Sequence, residues 1–160
     1  MRVKSIVLVV GALIGGGSAS VAAAQAVPNL SGTWVLQVDK SDFGMMQGPQ
    51  GRTDVIEHRE PRLTIKRTTM ANGQENSVNL VHEIDGKPYK NTVGPNEVTS
   101  TLHWEGAVLV IVSTVPTPQG EVGITDRYEL SADGKTLTQT RTLSAQGQQA
   151  TQIFVLAKQP

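Results

Sequence analysis

A succession of tight-turn dipeptides constrains this chain more than any other feature. Asn72-Gly73, Asp85-Gly86, Glu105-Gly106, Asp133-Gly134 and Gln146-Gly147 punctuate it, with Gly94-Pro95-Asn96 and the stretch from Pro116 to Gly120 between them. Asn-Gly and Asp-Gly put a residue tolerant of positive φ where a two-residue hairpin needs one. Most of these signals recur every 12 to 14 residues, and a series of them is far stronger than any single pair. A crossover to a parallel strand takes a dozen or more residues of its own, so the spacing leaves no room for one. Successive strands must therefore pair antiparallel.

The segments between the turns read as strands: 54–60, 62–70, 75–84, 87–93, 97–104, 107–115, 121–130, 135–143 and 148–157. An earlier strand opens at Gly32-Thr33-Trp34, where Trp34, Leu36 and Val38 alternate with Val35, Gln37 and Asp39, the period of a half-buried strand. Ser41 or Asp42 is placed to cap one helical turn, and Gly48, Pro49 and Gly51 exclude a long helix before Thr53. About ten strands in one meander would leave two open edges, and closing the sheet on itself removes them. The expected fold is all-β: a single antiparallel up-and-down barrel of about 8–10 strands. A two-sheet sandwich is the alternative, and the short sequential hairpins favour the barrel.

The first 26 residues have a different composition. Arg2 and Lys4 precede an apolar run from Ile6 to Ile14, and Ala22-Ala23-Ala24 and Ala24-Gln25-Ala26 offer small-x-small cleavage patterns. That is the build of a secretory signal peptide over residues 1–26, cut after Ala24 or Ala26, with the barrel domain at 27–160. The apolar run is shorter than the ~20 residues a spanning helix needs, so no stable membrane insertion is expected after cleavage. Removing Arg2 and Lys4 leaves 12 basic residues against 14 acidic, a net charge of −2. A slightly acidic chain without a basic block is a poor nucleic-acid binder. There is no cysteine, so no disulfide holds the fold; export to a bacterial periplasm or to the medium is the expected location.

Alternation also assigns the barrel's interior. Val98, Leu102 and Trp104 share one face, and Thr99, Thr101 and His103 the other. The row Thr136, Thr138, Thr140 and Thr142 suits an outer surface, which turns Leu137, Gln139, Arg141 and Leu143 inward. Ile124, Asp126, Tyr128 and Leu130 form another inner row. An apolar wall with a few placed polar groups is what a ligand cavity looks like; the competing reading puts those polar groups at the barrel ends, in water.

Three short motifs resemble the lipocalins and related calycin barrels: Gly32-Thr33-Trp34 on the first strand, Thr125-Asp126-Arg127-Tyr128 on a later one, and Arg141 on the next. The run from Trp104 through Leu137 is similar to small exported lipocalin-like proteins of bacteria. The resemblance implies a barrel that takes a small, largely apolar molecule inside, with Arg141 packed across Trp34 as a structural plug. Such a contact would add a cation–π attraction of ~0.5–2 kcal/mol. The chain departs from those families in lacking a disulfide and a C-terminal helix. Lys40 to Thr53 is too short and too rich in Gly and Pro for the helical lid of fatty-acid-binding barrels. Those barrels grip a carboxylate with Arg-x-Tyr on one face, whereas Arg127 and Tyr128 are adjacent and face opposite sides.

Reactive chemistry is thinly represented. His58, His82 and His103 have no His-x-x-x-His spacing or cysteine beside them, while zinc needs about four convergent ligands. A haem iron on His82 or His58 is a minor alternative, as is a hydrolase or isomerase using Glu57, Glu60 and Glu83. No Gly-x-Ser-x-Gly and no phosphate loop lies beyond the leader. No catalytic residue, metal or cofactor is therefore assigned. The expected function is a non-catalytic barrel holding a small hydrophobic or amphipathic ligand, with Leu102, Trp104, Ile124, Tyr128, Leu137, Arg141 and Phe154 lining the cavity and Arg141 or Tyr128 as polar anchors. The alternative is an envelope module with a solid core and a protein partner on its surface.

Overall fold

The computed structural model describes residues 27–160; the expected leader and its cleavage sites lie outside the described residues. Ten strands follow one another: β1 (Gly32–Leu36), β2 (Gly51–Arg59), β3 (Arg62–Ala71), β4 (Gln74–Glu83), β5 (Tyr89–Val93), β6 (Asn96–Glu105), β7 (Val108–Thr117), β8 (Gly120–Leu130), β9 (Thr136–Ala145) and β10 (Gln148–Lys158). They form one sheet in the order β4-β3-β2-β1-β10-β9-β8-β7-β6-β5, each neighbour antiparallel. The first and last strands meet, Trp34 opposite Lys158. The sheet thus curls into a nearly closed antiparallel barrel, as the turn spacing requires. At the Asn72-Gly73 turn both residues have positive φ, 52° and 71°, the backbone that this dipeptide accepts at low cost.

One seam remains, between β4 and β5, and a side chain spans it. The Val81 N–H donates to Asn91 Oδ1 (2.9 Å), and Asn91 Nδ2 donates to the Val81 carbonyl (3.2 Å). The amide of Asn91 therefore does what a backbone partner does elsewhere in the sheet.

β1 is shorter than its alternation suggests. A 3-10 turn at Val38–Lys40 follows it and lifts Val38 to 42 % exposure, so Trp34 and Leu36 alone point inward. The helical turn comes before Ser41 rather than after it. Beyond the turn, Asp42 pairs with Ile153 of β10 by two backbone hydrogen bonds. Phe43 then meets Phe154 edge-on, with ring centroids 5.4 Å apart. Gly48 comes so close to Phe43 that a Cβ there would overlap its ring. A glycine is therefore needed for the linker to fold back across Phe43 before β2 begins.

The core occupies one end of the barrel. Leu30, Trp34, Leu63, Leu102, Leu109, Leu137 and Leu156 are almost fully buried there. Leu30, ahead of β1, closes that end: Trp34 Nε1 donates to its carbonyl (3.0 Å), and its own N–H donates to His58 Nδ1 (3.3 Å). Gly32, at φ 147°, lets Lys158 approach; a Cβ would sit 2.7 Å from Lys158 Cε. The Lys158 ammonium lies 5.3 Å from the Trp34 ring centroid.

The pairing expected of Trp34 with Arg141 does not form. Arg141 pairs in register with Gln152, whereas Trp34 pairs with Lys158. Those β10 positions are six residues apart, about 20 Å along a strand at ~3.3 Å per residue. The cation on the Trp belongs to the neighbouring strand at the closed end, and Arg141 lies far up the barrel.

Candidate functional site

The other half of the barrel is hollow. A cavity of about 340 Å³ lies between β3, β4, β5, β6, β7 and β8, with Arg141 of β9 completing its wall. Much of its wall is aliphatic, including Val78, Leu80, Val93, Val98, Val115 and Ile124. Asn76, Asn91, Asn96, Ser100 and Ser113 interrupt that wall. Ser100 and Ser113 satisfy each other, Oγ to Oγ at 2.8 Å. The volume lies at the small end of the range for ligand sites, and the mixture of walls with few polar points is typical of them.

A charged network floors the cavity. Asp54 of β2 is fully buried and faces Arg67 of β3 in register. It accepts from Arg67 Nε and Nη2, both at 2.9 Å, and from Arg52 Nε (2.9 Å) and Nη2. Arg67 Nη2 reaches on to the Tyr128 hydroxyl (3.0 Å). Asp126 of β8 likewise faces Arg141 of β9 and accepts from its Nε (2.8 Å) and Nη2 (2.9 Å) and from Gln139 Nε2 (2.7 Å). Gln139 is fully buried, and its Oε1 has no partner among the described residues.

Burial alone would push the Asp54 carboxyl up, but the Arg67 and Arg52 guanidiniums outweigh it and hold it well below the usual carboxylate range. Asp126 is lowered in the same way, burial opposing and Arg141 prevailing. Burial disfavours the charge on Arg67 and Arg141 too, and their aspartates reverse that and raise both. The floor is thus an array of fixed charges, three positive and two negative. His82, also on the cavity wall, has no carboxylate beside it; burial lowers its pKa to about 4, so its ring is neutral near pH 7.

Of the residues expected to line the cavity, Ile124, Tyr128 and Arg141 do so. Leu102 and Leu137 do not; both are fully buried in the closed-end core. Both side chains point into the barrel, but alternation fixes only a side and says nothing of height along the barrel. Trp104 is also at the closed end, where its Nε1 donates to Glu60 Oε1 (2.8 Å) and its ring lies 5.8 Å from that of His58. Phe154 lines a second recess with Arg52, Arg67 and Arg141.

Both ring nitrogens of His58 are occupied, Nδ1 by Leu30 and Nε2 by Glu60 Oε1 at 2.8 Å, so it has no free position for iron. Glu57 points to the exposed face, and Glu60 and Glu83 do not share a site with it. Among the described residues no three His, Asp or Glu side chains converge as a metal site would require.

Arg52, Asp54 and Arg67 were not anticipated. The signal lay in the register. Centring the β2–β3 hairpin on Glu60-Pro61 puts Asp54 opposite Arg67, both on the faces already marked inward by Ile56 and Ile65.

No family model matches the chain, and no curated protein is similar to it at a meaningful level. Solved structures do resemble it. The zebrafish ileal bile acid-binding protein complexed with cholic acid superposes with a TM-score of 0.57 at 18 % identity, covering 81 % of this chain and 98 % of that one. A secretory abundant heat soluble protein from Ramazzottius varieornatus gives 0.61 at 12 % identity, covering 85 % and 99 %. Human cRBP IV gives 0.50 at 17 % identity, covering 79 % and 97 %. At these identities the likeness is one of fold alone, the nearly closed antiparallel β-barrel that these neighbours share with this chain.

Proposed function

We propose that this protein binds one small, largely apolar molecule in the open half of its barrel, and that it works outside the cytoplasm, in a periplasm or the surrounding medium. One observation carries the binding reading: a cavity of about 340 Å³ in a barrel whose other end is packed solid. A barrel serving only as a scaffold gains stability by filling that space, since each missing methylene costs about 1 kcal/mol. The zebrafish neighbour holds cholic acid, which fits the reading. The leader-like residues 1–26 support the location.

Native mass spectrometry and solvent extraction of protein purified from its own host test the first part. A co-purifying mass, or stoichiometric uptake of 1-decanol or of the dye ANS, is expected. Ile124→Trp should reduce uptake at least about tenfold by filling the cavity while leaving the circular dichroism spectrum unchanged. A clean unliganded mass, with no uptake of either probe, removes the reading. Cell fractionation with sequencing of the mature N-terminus tests the second part, and an unprocessed cytoplasmic chain would contradict it.

A further inference from the structure

Beside the main cavity lies a second recess of about 290 Å³. Gln47, Gly48 and Pro49 of the β1–β2 linker form one side, and Gln152 and Phe154 of β10 line it as well. Arg52, Arg67 and Arg141 complete the wall. Arg67 and Arg141 also line the main cavity, so the two spaces share a partition. We propose that this recess binds a tetrahedral oxyanion, a phosphate or sulfate group, held by Arg52, Arg67 and Arg141. The proposal rests on the ligand-binding reading only for the apolar body that such a group would carry into the main cavity.

Three observations converge on it. The first is the hydrogen-bond inventory. Each of the three guanidiniums uses its Nε and Nη2 on an aspartate. None of the three Nη1 atoms bonds to a described residue, and none is a sealed, unpaired atom, because Gln139 Oε1 is the one such atom among the described residues. Three Nη1 groups therefore remain accessible with donors to offer.

The second is charge. Arg52, Arg67 and Arg141 against Asp54 and Asp126 leave one positive charge in the network, and one bound monoanion would neutralise it. The third is rigidity and shape. The bidentate aspartates fix the guanidinium planes. Arg52 and Arg141 both lie against Phe154, 5.2 and 5.6 Å from its ring centroid. The remaining polar wall, Thr69, Asn72 and Gln152, offers a hydroxyl and amides. Such a lining suits a polar head better than a hydrocarbon tail, and the donors come from β2, β3 and β9, so a group with three or four oxygens can offer each guanidinium an oxygen of its own.

The test compares decyl sulfate, decyl phosphate, 1-decanol and inorganic sulfate by calorimetry, each detergent kept below its micelle concentration. The arginine Nε–H resonances are followed by NMR in parallel. Decyl sulfate and decyl phosphate should bind at least about tenfold tighter than 1-decanol, the effect of a charge-assisted contact, and should shift the Arg52, Arg67 and Arg141 resonances. Arg52→Gln, which leaves Asp54 paired with Arg67, and Gln152→Glu, which sets a negative charge in the recess, should each abolish that advantage. Gln152→Glu, outside the main cavity wall, should leave 1-decanol affinity as it was, which also shows that the barrel is intact. Shifts caused by inorganic sulfate alone would support a free anion as occupant; shifts confined to the alkyl esters would support a head group. If 1-decanol binds and the esters bind no better, the recess proposal fails while the cavity reading stands. If no probe binds and inorganic sulfate moves no arginine resonance, both fail.

Discussion

His82 sits on the wall of the main cavity with 2 % of its surface exposed, and burial lowers its pKa from 6.5 to about 4. In the unfolded chain the same ring takes up a proton near pH 6.5. Between those values the unfolded state binds more protons than the folded one, so stability falls as the pH drops from 6.5 toward 4. At about 1.4 kcal/mol per pH unit the loss by pH 4 is on the order of 3 kcal/mol. Asp54 and Asp126, both lowered, stay ionised through this window and add their own losses only below pH 4. His82→Leu should therefore flatten the decline in melting temperature between pH 6.5 and 4 and leave the steeper fall below pH 4 in place. An unchanged slope between pH 6.5 and 4 would show that the ring is protonated at little cost in the folded state. Trp34 works by bulk instead of charge. It is fully buried, tied to Leu30 and capped by Lys158, and Trp34→Ala should cost about 3–5 kcal/mol in chemical denaturation. A melting temperature equal to the parent's would refute that.

At the scale of strands and turns, the dipeptides made most of the barrel legible. Asn72-Gly73 and Asp133-Gly134 fix where the chain reverses, and a known reversal fixes the register of its hairpin. The same logic reaches Asp54 opposite Arg67 once the hairpin at Glu60-Pro61 is drawn. Contacts between strands distant in the chain were not legible. That Lys158, not Arg141, covers Trp34 depends on how β10 slides along β1, and no turn connects those two strands. The heights of Leu102 and Leu137 were hidden for a related reason: alternation carries no information on where the core stops and the cavity starts. The β4–β5 seam is local in the chain, Asn91 lying ten residues after Val81, but it is bridged by a side chain, which alternation does not show. Asn91 supplies both halves of a hydrogen-bonded pair to Val81, and its removal leaves that donor and acceptor unmatched. Asn91→Ala should speed exchange of the Val81 amide roughly five- to tenfold, corresponding to about 1 kcal/mol. Exchange at the parent rate would mean that the seam is held by other contacts.

Taken whole, the barrel has two unlike ends. The closed end has Leu30 and Trp34 as its stopper and a packed aliphatic core. The open end has a cavity, a charged floor and a linker folded over Phe43. Local opening costs least where buried apolar contacts are fewest, so the two ends should differ in hydrogen exchange along the same strands. Without ligand, amides near Leu63, Leu102, Leu109 and Leu137 should exchange at least about tenfold more slowly than those near Thr69, Asn76, Val93 and Asn96. A ligand in the cavity stabilises only the state that holds it. At a free concentration one hundred times its dissociation constant it contributes about 2.7 kcal/mol, so open-end amides that exchange by releasing it should slow by up to about a hundredfold. Because the floor network joins β2, β3, β8 and β9, that protection should extend across the sheet to Arg52 of β2, a strand that contributes no residue to the cavity wall. Equal exchange at both ends of the unliganded barrel would mean that the hollow half is held as firmly as the core, and that the charged floor carries the load that apolar packing carries below it.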